Sequence, residues 1–92
     1  MTRENYFAFK KALLDSGYVK NVTKKGKYIT IEPYQYISFF TTNVLDTIFY
    51  ENHINYEIDE SGYIHTEYGS FDYICADHFN TQIYYTRYKI VD

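Results

Sequence analysis

The chain has 92 residues and a mass of 11.1 kDa, the size of one domain, which excludes a cofactor domain joined to a substrate domain. Apolar residues reach 46% only because 13 tyrosines are counted among them. The core is therefore expected to be partly aromatic, and rings that each remove about 150–250 Å² from water let a chain of this size fold without staples. One cysteine, Cys75, builds no disulfide framework and fits a reducing, cytoplasmic home.

No apolar run approaches the roughly 20 residues that cross a bilayer, and Met1 to Lys11 lacks the apolar stretch of a secretory signal. Neither a membrane nor export is expected, so the Asn21-Val22-Thr23 match to a glycosylation acceptor carries no weight. Residues with AT-rich codons (Phe, Tyr, Met, Ile, Asn, Lys) dominate while Ala and Arg are scarce. That usage points to an AT-rich genome, as in many low-GC bacteria and their phages.

Chain order predicts an α+β domain. Thr2 is an N-cap for a helix over about 3–15, with Tyr6, Phe9 and Leu13 on its apolar stripe and Gly17 as the terminator. Residues 18–22 and 27–32 alternate as a hairpin around Thr23-Lys24-Lys25-Gly26, with Gly26 in the left-handed position. The stretch from Pro33 to Phe40 fits strand and helix spacing equally. Thr42 is expected to cap a short helix over about 43–52 that buries Val44, Leu45, Ile48 and Phe49. A second hairpin runs from Ile54 to Asp59, turns at Glu60-Ser61-Gly62 and returns to Tyr68.

Gly69-Ser70 is read as a break, with Ser70 capping a helix over about 71–79 in which Phe71, Ile74, Cys75 and Phe79 line one side and Asn80 marks the stop. Residues 82–91 form the last strand, expected to be central. The sum is a small antiparallel sheet of about five strands, two hairpins plus a C-terminal strand, with two to three short helices on one face. Residues 26–34 and 61–68 echo one another faintly, as a duplicated hairpin-plus-helix unit would.

Charge is where the sequence becomes specific. The net charge is −3, but residues 1–46 hold seven Lys/Arg against four Asp/Glu, and residues 47–92 hold two against eight. No cation lies between Lys27 and Arg87. Part of the surface should therefore carry an unbalanced negative field, which steers basic partners and repels nucleic acid.

Chemistry is sparse. Cys75 and His78, a helical turn apart in this reading, with His65 or Asp72, form at most one ligand pair of a metal site. The simpler reading is a buried apolar Cys75 and a surface His78. As a nucleophile Cys75 would have Asp72 and Asp77 but no cation nearby, which raises a thiol pKa. Phosphate-loop, metalloprotease and nucleophile-elbow motifs are absent. The expectation is no enzyme, no catalytic residue, no cofactor and no metal.

Two binding readings remain. Tyr56, Tyr63, Tyr68 and Tyr73 interleave with Glu57, Asp59, Glu60, Glu67 and Asp72. Tyrosines supply stiff contact area, so this acidic patch is expected to dock on a basic protein, such as a nucleic-acid-binding enzyme of the host. By kind of molecule rather than by sequence, phage or mobile-element counter-defence inhibitors such as anti-CRISPR proteins act this way. The alternative is a single-stranded nucleic-acid or nucleotide binder using sheet tyrosines with Lys20, Lys24, Lys25 and Lys27. The segment Lys25 to Ile31 echoes the start of an RNA-recognition strand without its later aromatic positions. A homodimer through the last strand is a third expectation.

Overall fold

The computed structural model describes residues 1–34, 49, 54–79 and 82–91, of which 76–79 and 82–84 as backbone only. One helix, α1 (Arg3–Asp15), precedes six strands: β1 (Val19–Lys25), β2 (Tyr28–Pro33), β3 (Tyr56–Ile58), β4 (Ile64–Thr66), β5 (Gly69–Phe79) and β6 (Gln82–Ile90). They form one antiparallel sheet in the order β1-β2-β6-β5-β4-β3. The α+β class stands, with six strands rather than about five and with one helix among the described residues.

α1 begins where the sequence places it, because the Thr2 Oγ1 accepts the Asn5 N–H at 3.0 Å and satisfies an otherwise orphan donor. At its end the Ser16 hydroxyl donates to the Leu13 carbonyl at 2.6 Å, and Gly17 takes the left-handed φ of 82° that turns the chain into β1. Gly26, at φ 62°, likewise opens the first hairpin loop. That loop is the two residues Gly26-Lys27, since Lys25 already pairs with Tyr28. Lys24 and Lys25 therefore sit in the ladder and not in a loose tip.

The residues expected in a helix over 71–79 are strand β5. Between β5 and β6 the register passes from Tyr73↔Tyr88 to Cys75↔Arg87, leaving Ile74 as the extra residue of a β-bulge. Phe71 and Ile74 are three apart, as on a helix, but in the strand they lie on opposite faces, Phe71 buried in the core and Ile74 exposed at the bulge. β4 thus leads into a strand, and the echo of 26–34 in 61–68 covers only the return strands β2 and β4. Of the helix expected over 43–52 only Phe49 is described, and it is fully buried. Residues 35–42 and Asn80 lie outside the described residues.

Alternation assigns one sheet face to the core. Val19 and Val22 of β1, Ile29 and Ile31 of β2, Ile64 of β4, Phe71 of β5 and Tyr88 and Ile90 of β6 are buried beneath Phe9 and Leu13 of α1. Phe9 is the hub: its ring stacks on Phe71 at 4.8 Å and tilts against Tyr68 at 5.9 Å and Phe49 at 6.3 Å. β6, third in the sheet, is central as expected. It is paired with β5 along most of its length and with β2 over Thr86–Lys89, so that stretch has neighbours on both sides.

Two substitutions test this packing. Phe9→Ala should cost about 3–5 kcal/mol against a total of about 5–15 kcal/mol, lowering the calorimetric Tm by at least about 12 °C. Thr86 is buried with its hydroxyl unbonded. Thr86→Val should therefore stabilise by about 1 kcal/mol, seen as a higher urea midpoint with unchanged slope.

Candidate functional site

The face opposite α1 carries the charge. Cross-strand partners project on the same side of a sheet, so the ladder pairs Lys25↔Tyr28, Tyr28↔Lys89 and Asp72↔Lys89 align into one row across β1, β2, β6 and β5. The next row is Thr23, Thr30, Arg87 and Cys75. With Lys27 from the hairpin loop, these rows bound an open groove of about 1160 Å³ lined by Lys24, Lys25, Lys27, Tyr28, Arg87 and Lys89, with Ile74 at its far side.

Tyr28 is 45% exposed and Ile74 42%, so the groove presents a ring and an aliphatic chain among the cations. Arg87 places its guanidinium 5.9 Å from the Tyr85 ring, and Lys24 its ammonium 5.9 Å from the Tyr6 ring of α1. Among the described residues no carboxylate forms an ion pair with Lys24, Lys25, Lys27, Arg87 or Lys89. Lys20 stands apart, 3.8 Å from Glu32. Lys24, Lys25 and Lys27 thus border the groove, but Lys24, the ladder partner of buried Ile29, sends its ammonium to the α1 side, leaving Lys25 and Lys27 on the groove face. Arg87 and Lys89, which the sequence separates from them by about sixty positions, complete it.

The acidic residues gather at the other end of the sheet. Glu57, Asp59, Glu60 and Glu67 are exposed on the β3–β4 hairpin and the turn after it, while Asp72 lies further in, beside Lys89. The tyrosines do not join them as a recognition surface. Tyr56, Tyr68 and Tyr73 are half-buried against the core, Tyr56 on Phe49 at 5.7 Å and Tyr73 on Tyr88 at 5.8 Å. Only Tyr63 of the four is exposed, at 36%. Burial first, and then the Glu67 charge, push the Tyr68 phenol up from its ordinary pKa.

Asp59 organises the hairpin tip. Its Oδ1 accepts the Ser61 and Tyr63 N–H groups at 2.8 and 3.0 Å, and its Oδ2 lies 2.7 Å from His65 Nε2. The other ring nitrogen, Nδ1, lies 2.7 Å from the Ser70 hydroxyl. This Asp–His–Ser chain has the residue types of a nucleophile relay. With the His65 and Asp59 side chains 44% and 39% exposed, however, water competes for the imidazole proton, and the network serves to brace β3, β4 and the start of β5.

Cys75 is exposed, not buried, and its ladder partner is Arg87, so the expectation of a thiol without a cationic neighbour is also corrected. Cys75 and His78 lie on a strand about 10 Å apart, not one helical turn apart. Among the described residues no three His, Cys, Asp or Glu side chains converge. No helix of the described residues is long and apolar enough to cross a membrane.

The His65 hydrogen bond is the largest influence on Asp59 and holds its carboxyl below the usual carboxylate range, with the two backbone N–H bonds adding to it. A carboxyl whose folded pKa is depressed stabilises the fold above its unfolded pKa and loses that contribution as pH falls through the folded value. In a carbon-detected NMR titration Asp59 should protonate below the ordinary aspartate range. His65→Ala should move it up toward the ordinary aspartate value; an unchanged midpoint would remove His65 as the cause.

Comparison of the chain with models of known protein families, with curated proteins and with solved structures finds no match.

Proposed function

We propose that the protein is a non-enzymatic binder of single-stranded nucleic acid, held in the basic groove on the outer face of β1, β2 and β6. The observation that carries this reading is Tyr28, exposed and flanked in register by Lys25 and Lys89, with Lys27 and Arg87 alongside. Stacking a base on one aromatic ring is worth about 1–3 kcal/mol and tolerates any base. Lysine and arginine supply the sequence-independent grip on phosphates.

The net charge of −3 does not decide against this. β2 and β4 are three strand spacings apart, about 14 Å, which exceeds the Debye length of about 10 Å at 0.1 M salt. A phosphate over Tyr28 therefore feels the nearby cations more than the distant hairpin acids. Asp72, one strand from Lys89, offsets one of those charges.

A second reading rests on the opposite end. Glu57, Glu60 and Glu67 are exposed there with no Lys or Arg ion pair among the described residues, a field suited to docking on a basic protein, as a phage or mobile-element inhibitor would. That reading has lost most of its aromatic anchors to the core. It ranks second for that reason.

Fluorescence anisotropy with a labelled single-stranded oligonucleotide separates the two. Binding should weaken with salt at a log–log slope no steeper than about −2.8 for four phosphate contacts. Tyr28→Ala should weaken it about 5- to 150-fold, and Lys25→Glu with Lys89→Glu should abolish it. Absence of binding at low salt, or binding indifferent to those variants, would transfer the proposal to the acidic hairpin. Reversal of Glu57, Glu60 and Glu67 should leave oligonucleotide binding intact.

A further inference from the structure

We propose that two copies of the chain pair face to face, outer sheet on outer sheet, about a two-fold axis parallel to the strands. The inference goes beyond nucleic-acid binding and does not depend on it. Its basis is that the outer face is self-complementary under that one operation. Lys25, Lys27, Arg87 and Lys89 occupy the β1-β2-β6 half, while Asp72, Glu57, Asp59 and Glu60 occupy the β5-β4-β3 half. A two-fold rotation about an axis running between β6 and β5, the two middle strands, lays β1 of one copy over β3 of the other. Basic half then meets acidic half twice, in a closed isologous contact.

The apolar groups agree with the charges. Tyr28, Ile74 and Tyr63, three of the large exposed hydrophobic side chains, all belong to this face: Tyr28 and Ile74 line its groove, and the register Ile64↔Phe71 continued by one residue puts Tyr63 beside Asp72. The other face is already covered by α1 and Phe49. Sheets packed in this aligned manner sit about 10 Å apart with their strands within about 30°.

The area limits the affinity. Six strands span about 24 Å and six residues of strand about 20 Å, a face of about 480 Å², below the roughly 800 Å² per partner of a standard stable interface. Charge complementarity must therefore decide whether the contact holds. The dimer should be dynamic and salt-sensitive, and it would occlude the same cations that a nucleic acid would use.

Sedimentation equilibrium on nuclease-treated protein tests the pairing without nucleic acid. At about 0.01 M salt the mass should approach twice the 11.1 kDa of one chain, and at about 1 M salt, where the Debye length falls from about 30 to about 3 Å, it should return to one. The Lys25→Glu/Lys89→Glu and Glu57→Lys/Glu60→Lys variants should each sediment as single chains, and their equimolar mixture should regain the doubled mass. Cys75, exposed near the axis, should be joined to its counterpart by a short thiol cross-linker at low salt only. A single-chain mass at low salt overturns the proposal. So does a dimer that survives both salt and charge reversal, or a mixture that stays monomeric although circular dichroism shows both variants folded. If a variant unfolds, the wild-type salt series and the cross-linking decide. Because no oligonucleotide is present, failure here leaves the nucleic-acid reading standing, and failure of oligonucleotide binding leaves the dimer standing.

Discussion

The pairing of β6 between β2 and β5 is the constraint on which the molecule depends. β1 and β2 form one local hairpin, and β3 to β6 form a meander of neighbours; the four-residue ladder Tyr28–Ile31 with Thr86–Lys89 is what makes them a single sheet. It buries Tyr88 and Ile90 on one side, where Phe9 and Leu13 can reach them as part of one core. On the other side it brings Arg87 and Lys89 against Thr30 and Tyr28. Core and groove are two faces of the same register. A slip of one residue would exchange them, turning cations inward and Tyr88 to solvent.

The electrostatic asymmetry follows from strand order more than from composition. Counted along the chain, positive charge belongs to the first half and negative charge to the second. Folding moves the last strand into the basic half and leaves β3, β4 and β5 to carry the acids. The result is a sheet polarised across its width, with a ring exposed on the basic side. The tyrosines divide by the same geometry, since those at core-facing alternations pack and those at outer positions, such as Tyr28 and Tyr63, remain available.

Local signals were legible and long-range ones were not. The Thr2 cap, the Phe9 and Leu13 stripe and the glycines at 17 and 26 are properties of a few adjacent residues, and each appears where the sequence places it. Residues 71–79 mislead because Phe71 and Ile74, three apart as on a helix, belong to opposite faces of a strand whose alternation the bulge at Ile74 interrupts. The lysine hairpin was visible as half a site. Its completion by Arg87 and Lys89 rests on a pairing between segments almost sixty residues apart, for which one sequence holds no local sign; the alternation that sets Arg87 and Lys89 on one face of the last strand was the available hint. Cys75 was misplaced for the same reason, since its cationic neighbour arrives from another strand.

The position of β6 also governs how the chain can fold as it is made. Most β-meanders can add strands to a growing edge as each is synthesised, but here the third strand of the sheet is the last of the described strands in sequence. The β1–β2 hairpin with α1, and the β3–β5 segment, emerge first as two incomplete layers, each with an apolar face and an open edge. Neither can join the other until Gln82–Ile90 has left the ribosome, so closure of the core waits for that strand. Such non-local pairing places folding in the slower, millisecond-to-second regime of β-rich domains. During that interval the open edges of β2 and β5 are the surfaces most exposed to mispairing.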